Sequence, residues 1–446
     1  MVGFSGTRQW IYPLAVDGRF QRVRRGTFLA LHLVLFVVPW VTVAGHPALL
    51  FDLEDRRLYA FGSIFTAADT ILLLLVLLFL AFALFFFTSL YGRLWCGYAC
   101  PQTVFLDAWI RPLEGWIEGD RAQRRRRDEI GWSFDRIWRK AAKWSLFALV
   151  SFITAMAFMS FFAGARELWT GRAGPVEYAL VGIFTVGWFL DFAWFREQFC
   201  NFLCPYARFQ SALTDEDTLQ ISYDARRGEP RGDAASRAEG RCTACNRCVA
   251  VCPAGIDIRD GFQLECIACA RCVDACEDVM GSLGHESLVR YSTLAADQGR
   301  TTRRLRPRTV VYAGLLTGLA AVWTGLLLTH APFEAGVSRA PGSLFTMDTD
   351  GAVRNTYLLR ITNNDPDPEP IAFSVTVEGL AGAEVLTQDV RLGSTEGRTL
   401  PLVIRVRDGG TLPRTVPIKV RVSSPSGERV LDATFKSGGA IATSAN

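Results

Sequence analysis

The run from Cys242 to Cys276 reads CTACNRCVAVCP (242–253), AGIDIRDGFQLE (254–265) and CIACARCVDAC (266–276). It is two copies of C-x2-C-x2-C-x3-C and takes eight of the chain's 12 cysteines. A [4Fe–4S] cube needs four soft thiolates on short loops, and in two-cluster ferredoxins the fourth cysteine of each run ligates the other cluster. That pattern assigns Cys242, Cys245, Cys248 and Cys276 to one cluster, and Cys266, Cys269, Cys272 and Cys252 to the second. Pro253 follows Cys252 as the pattern asks, while Glu277 replaces the second proline. Zinc ribbons and disulfides compete with this reading, but zinc knots rarely carry the quartet spacing twice.

Half of the 446 residues are apolar and mean hydropathy is positive, the profile of a membrane protein. The net charge of +4 is small and clustered, so the sign of each loop says more than the sum. All 12 cysteines fall in motifs, which argues for a reducing compartment rather than for disulfides.

Apolar runs predict five spans, at about 27–44, 65–91, 144–163, 176–195 and 309–329. Residues 1–26 are polar and arginine-rich. Arg24-Arg25 before Phe28-Leu29 faintly resembles a twin-arginine export signal, but the spacing is off by one. The plainer reading is a charged anchor that holds the N-terminus in the cytoplasm. A short loop with Asp52, Glu54 and Asp55 joins the first two spans.

The second span runs into RLWCGYACPQ (93–102) and the fourth into REQFCNFLCPYARFQ (196–210). The unit "span, outer loop, span, C-x3-C-P" thus occurs twice. Cys96 and Cys100 are four apart, which on a continuous helix puts both sulfurs on one face. Pseudo-symmetry would bring them together with Cys200 and Cys204 at one leaflet. Packing of small apolar thiols at a helix end is the bland alternative; the repetition favours a metal or redox site. Between the units, a loop over 93–143 carries Arg124–Arg127 and places this side in the cytoplasm by the positive-inside rule. Topology accounts for these arginines without nucleic acid or anionic lipid. Asp191, near the end of the fourth span, is a further functional candidate.

A linker at 224–241 leads into the cluster module, and the arginines at 300–308 keep that module inside. From 330 on, short β-rich runs (YLLRIT, AFSVTV, AEVLTQDV, LPLVIRV, TVPIKVRVS, VLDATF) predict an immunoglobulin-like sandwich outside. The domains are therefore 1–26, 27–210, 211–308, 309–329 and 330–446. Only His32, His46, His285 and His330 exist. His32 and His46 lie about 21 Å apart along a helix, too far to share a haem. His46 with His330 is the only other pair near the outer face.

This order of motifs resembles the CcoG family, also called FixG or RdxA, accessory proteins of cbb(3)-type cytochrome c oxidase assembly. The first three-quarters is also similar to NapH-type membrane polyferredoxins. The resemblance implies a multi-domain membrane protein of the bacterial inner membrane. It would be an α-helical transmembrane bundle with a cytoplasmic two-cluster ferredoxin-like domain and a periplasmic C-terminal immunoglobulin-like β-sandwich. It further implies two [4Fe–4S] clusters and reduction of Cu(II) to Cu(I). Copper at Cys96, Cys100, Cys200 and Cys204 is the expectation. A copper-transporting ATPase or chaperone would receive it, with oxidase assembly factors as partners. Three rivals stay open: a quinol-oxidising electron-transfer protein, a non-enzymatic redox-sensing scaffold, and iron in place of copper at the C-x3-C-P quartet.

Overall fold

The computed structural model describes residues 10–66, 69–130, 133–232, 241–329, 333–365, 367, 369–387, 389–407 and 412–438. Two compact units result, Met1–Val38 with Leu75–Ala321, and Pro39–Leu74 with Val322–Asn446. Among the described residues five helices are long and apolar enough to cross a membrane: Arg19–Trp40, Thr70–Tyr91, Phe134–Ala163, Pro175–Phe195 and Pro307–Leu328. The helix Thr70–Tyr91 is apolar on all faces and little buried by protein, so lipid must cover it.

The first span begins eight residues before its expected start. No local side chain caps it. Asp274 does so from the cluster module, accepting from the amides of Phe20 (3.2 Å) and Gln21 (2.9 Å). A carboxylate at a helix N-terminus satisfies orphan N–H groups and opposes the helix dipole. Of the arginines read as a charged anchor, Arg19, Arg22, Arg24 and Arg25 therefore lie inside the helix, with Arg24 1% exposed, while Arg8 lies outside the described residues. The helix also ends earlier, at Val37, followed by a tight turn over Val38–Trp40.

The segment read as a loop over 93–143 is mostly helical. It comprises Leu94–Tyr98, Pro101–Phe105, Arg111–Glu118 and Arg121–Ile130, and the third span starts at Phe134, ten residues early. The arginines work as ion-pair partners here. Glu114, fully buried, accepts from Arg196 (2.7 Å) and Arg124 (2.7 Å), and Lys143 reaches Glu118 at 2.7 Å.

The second unit is a sandwich. One sheet orders Ala383–Leu386, Gly397–Val406, Val353–Asn363 and Phe333–Arg339; the other orders Val390–Leu392, Ile371–Glu378, Thr415–Ser424 and Gly427–Lys436. Alternating inward side chains such as Leu359, Ile361, Leu402, Ile404, Val420 and Val422 build its core. The run AEVLTQDV, read as one strand, divides between the two sheets. The loop read between the first two spans is a three-stranded meander, Leu49–Asp52, Arg57–Ala60 and Ser63–Phe65. It belongs to this unit, with Arg57 donating to the Thr395 carbonyl at 3.2 Å. His46 stacks on Tyr59 (5.1 Å), and His330 lies outside the described residues.

Removing one partner of a buried ion pair costs about 3–5 kcal/mol, so Glu114→Ala should lower the thermal midpoint of the detergent-solubilised protein by that measure. Burial raises the Glu114 carboxyl, but Arg196 and Arg124 outweigh burial and hold it below the ordinary value. A carboxyl depressed in the folded state adds stability that is full above its unfolded value, about 4.3, and fades as pH falls. Thermal midpoints of the wild type should therefore drop on acidification below about pH 5, and Glu114→Gln should flatten that part of the curve.

Candidate iron–sulfur and thiolate sites

The cluster module hangs on a two-stranded sheet, Gln220–Tyr223 with Val289–Ser292. Each C-x2-C-x2-C loop leads into a helix, Arg247–Ala250 in the first repeat and Arg271–Ser282 in the second. The two loops bend identically. Ala244 and Asn246 flank Cys245 at φ 51° and 55°, and Ala268 and Ala270 flank Cys269 at 52° and 58°. These left-handed residues are not glycine, and each costs about 1–2 kcal/mol. Such strain persists where a site demands it, because alternating backbone handedness turns successive amides toward an anion. A sulfide-rich cluster with thiolate ligands is such an anion.

The expected ligand sets are brought together as crossed quartets. One small cavity is lined by Cys242, Cys245, Cys248 and Cys276, with Tyr223 and Arg259 beside them. A second is lined by Cys252, Cys266, Cys269 and Cys272, with Cys248 at its edge. Burial raises the Cys266 thiol to about 12 and the Cys272 thiol well above its ordinary value. The donor sets therefore fit a cluster whose iron charge compensates the buried thiolates.

The C-x3-C-P motifs do not form the single helix face expected of them. Pro101 and Pro205 open new helices, Pro101–Phe105 and Pro205–Leu213, and hold Cys100 and Cys204 in extended backbone as their N-caps. Cys96 lies on Leu94–Tyr98, and Cys200 on a wide π-type turn, Phe199–Leu203. The thiols still converge. Burial pushes Cys96 up to about 12; Arg93 opposes this, and Cys100, Cys200 and Cys204 reinforce it. Among the described residues no three of His, Cys, Asp and Glu are spaced to hold a single metal ion, here or at the ferredoxin loops.

Four residues passed over in the sequence tie the halves together. Gln102, next after C-x3-C-P, donates to Asp191 (3.0 Å) and to the Arg196 carbonyl (2.9 Å), which gives Asp191 a structural partner. Thr88 of the second span meets Tyr206 of the second motif at 2.6 Å. Gly97, between Cys96 and Cys100, packs on the second cluster loop: a Cβ there would lie 2.5 Å from the Ile267 carbonyl oxygen and 2.9 Å from the Cys269 Cα. Tyr98 adds a bridge through Tyr291 (3.2 Å), whose hydroxyl donates to the Ala268 carbonyl at 2.6 Å. Position alone hinted at Gly97 and Gln102, which lie within or beside the motif.

Family profiles match in the same places. A "4Fe-4S dicluster domain" covers 195–294, a "4Fe-4S binding domain" covers 73–120, and an "IG-like fold at C-terminal of FixG" covers 323–437. The chain is 36% identical over 427 residues to the nitrogen fixation protein FixG of Rhizobium meliloti (strain 1021), covering 84% of this chain and 80% of that one. It is also 36% identical to proteins RdxA and RdxB of Cereibacter sphaeroides, covering 83% of each chain in both comparisons. The chain belongs to the FixG/RdxA family. It is a membrane-spanning iron–sulfur electron-transfer protein with a C-terminal immunoglobulin-like domain. A FixG-related protein from Vibrio parahaemolyticus, known from its crystal structure, aligns with 24% of this chain and 99% of its own at 18% identity and a TM-score of 0.22.

Because the neighbours of Gly97 are backbone atoms, a side chain there must push the two loops apart. Gly97→Val should leave the protein in the membrane but loosen the second cluster loop. Iron and sulfide per chain in anaerobically purified protein should fall, with Gly97→Ala intermediate.

Proposed function

We propose that this protein reduces Cu(II) to Cu(I) in support of cbb(3)-type oxidase assembly. Cys242, Cys245, Cys248 and Cys276 would hold one [4Fe–4S] cluster, and Cys252, Cys266, Cys269 and Cys272 the other. When bound, these clusters supply electrons one at a time, the unit in which Cu(II) becomes Cu(I). Cys96, Cys100, Cys200 and Cys204 receive the copper substrate. Soft thiolates prefer Cu(I), so the quartet favours the reduced ion. The observation that carries this reading is the close packing of Gly97, next to Cys96, on the backbone of Ile267 and Cys269 in the second cluster loop. The arginine-rich segments on this side support a cytoplasmic location. A copper-transporting ATPase or chaperone would then accept Cu(I), and the C-terminal domain would face the periplasm.

One observation favours a second occupant of the quartet. The "4Fe-4S binding domain" profile spans Cys96 and Cys100, which lie outside the two ferredoxin repeats. Iron at the quartet would make it part of the relay rather than the copper site.

Replacement of Cys96 and Cys100 by serine separates the two. Loss of an outer-shell partner alone costs about 10–100-fold at a metal site, so copper affinity and cupric reduction by dithionite-reduced protein should fall by at least that much. Iron per chain should stay at the wild-type value. A fall in iron with copper binding intact would assign the quartet to iron and end the copper reading.

A further inference from the structure

A cavity of about 710 Å³ lies in the first unit, between the first span and the helical segment after Cys100. This is the size of a small-molecule site. Phe28, Leu29, Ala108, Trp109 and Pro112 give it an apolar wall. Leu29 and Trp109 are also exposed, so that wall reaches the surface where the first span meets lipid. His32 holds Trp109 in place, accepting from its indole N–H at 2.6 Å while its other ring nitrogen bonds the Phe28 carbonyl.

The opposite wall is cationic. Arg24, Arg111 and Arg271 surround the single carboxylate of Asp107, with Arg24 at 2.5 Å and Arg271 at 3.8 Å. Arg111 also faces Glu197 at 4.0 Å, so three guanidiniums meet two carboxylates and one positive charge is left over. The buried Nε–H groups of Arg111 and Arg271 have no acceptor among the described residues. Buried donors without acceptors are costly, and a ligand oxygen would relieve them.

This wall is one residue thick against one cluster site. Gln21 donates to the Cys269 carbonyl (3.4 Å), Arg111 to the carbonyl of Pro253 beside Cys252 (3.4 Å), and Arg271 stands between Cys269 and Cys272 in the chain. The occupant must therefore combine an apolar body, electron-rich oxygens and redox chemistry at the lipid surface. We propose that the cavity binds the head of an isoprenoid quinol and is where this protein takes its electrons. The proposal rests on the electron-transfer reading above and names its donor.

The step balances. Two quinol O–H bonds break, two protons leave to water, and two electrons pass to two one-electron iron–sulfur acceptors, leaving quinone. The surplus guanidinium charge stabilises the quinol oxygens as they deprotonate. Thiolate stabilisation of Cu(I) draws the electrons onward.

Gly115 lines this cavity, and a Cβ added there meets no atom within 4 Å. Gly115→Leu should therefore fill the space while favouring its helix. The test uses the full-length, iron-loaded protein in phosphatidylcholine nanodiscs. An azido-ubiquinone probe should label peptides spanning 24–32 and 107–115, and decylubiquinone should compete. Decylubiquinol or a menaquinol analogue should bleach the cluster absorbance anaerobically. Gly115→Leu should cut both signals more than about tenfold, with Leu29→Trp acting likewise, while dithionite still reduces each variant fully. Labelling elsewhere, wild-type quinol reduction in both variants, or no reduction by either quinol would overturn the proposal. So would labelling abolished by phosphatidylglycerol without any quinol reduction, which would mark a lipid site. Cupric reduction by dithionite-reduced protein is independent of this cavity, so its failure would count against the copper reading alone.

Discussion

The contact on which the cysteine-bearing unit depends is the approach of one loop backbone to another at Gly97. No other residue type fits, because a single added carbon would meet the Ile267 carbonyl and the Cys269 Cα inside van der Waals distance. Arg24 fastens the same place from the membrane side, donating to the Gly97 carbonyl at 2.8 Å and pairing with Asp107. Asp274 completes the arrangement by capping the helix that carries Arg24. A helix start, a thiol loop and a cluster loop thus share one set of bonds. A change at any of the three is felt at the other two.

What the sequence made legible follows from where each cause resides. Ferredoxin ligands sit at fixed short spacings because each loop supplies three thiolates to one cube and its fourth cysteine to the other, so their positions can be read from a single string. Long apolar runs are equally local. The start of the first span is not, since its cap is 254 residues away at Asp274. Arg19 to Arg25 look like an extramembrane anchor until their partners on other segments are known. The break between Cys96 and Cys100 has a local sign in Pro101, which favours a helix end or kink there and pushes the residue before it to extended backbone. The strands between the first two spans were also signalled, by β-prone residues in LLFD and RLYA, but a short charged turn hid them.

The arginines show how one residue type serves two purposes in a membrane protein. Their number on one side follows the rule for orientation. Their burial follows from something else. Arg196 and Arg124 converge on Glu114, as Arg24, Arg111 and Arg271 do on Asp107, and both carboxylates are almost fully buried. A guanidinium tolerates this because its planar fork keeps several donors bonded at once and is weakly hydrated. Burial of lysine at the same points would cost more. The one lysine near Glu114 reaches it only at 3.9 Å and bonds Glu118 instead.

Electrostatics also explains why the thiol quartet stands where it does. Burial raises the Cys96 and Cys200 thiols, and the neighbouring cysteines add to the rise. Cys100 escapes part of this rise as a helix N-cap, because the amides of Gln102 and Thr103 favour its thiolate, though burial still wins. Arg93 is a nearby cation that opposes the rise at Cys96 and Cys200. It also bonds Gln210 (2.6 Å) and the Leu264 carbonyl, so its charge is fixed between the second motif and the loop joining the cluster repeats. The metal proposed for this quartet would displace the thiol protons on binding and compensate the thiolate charge.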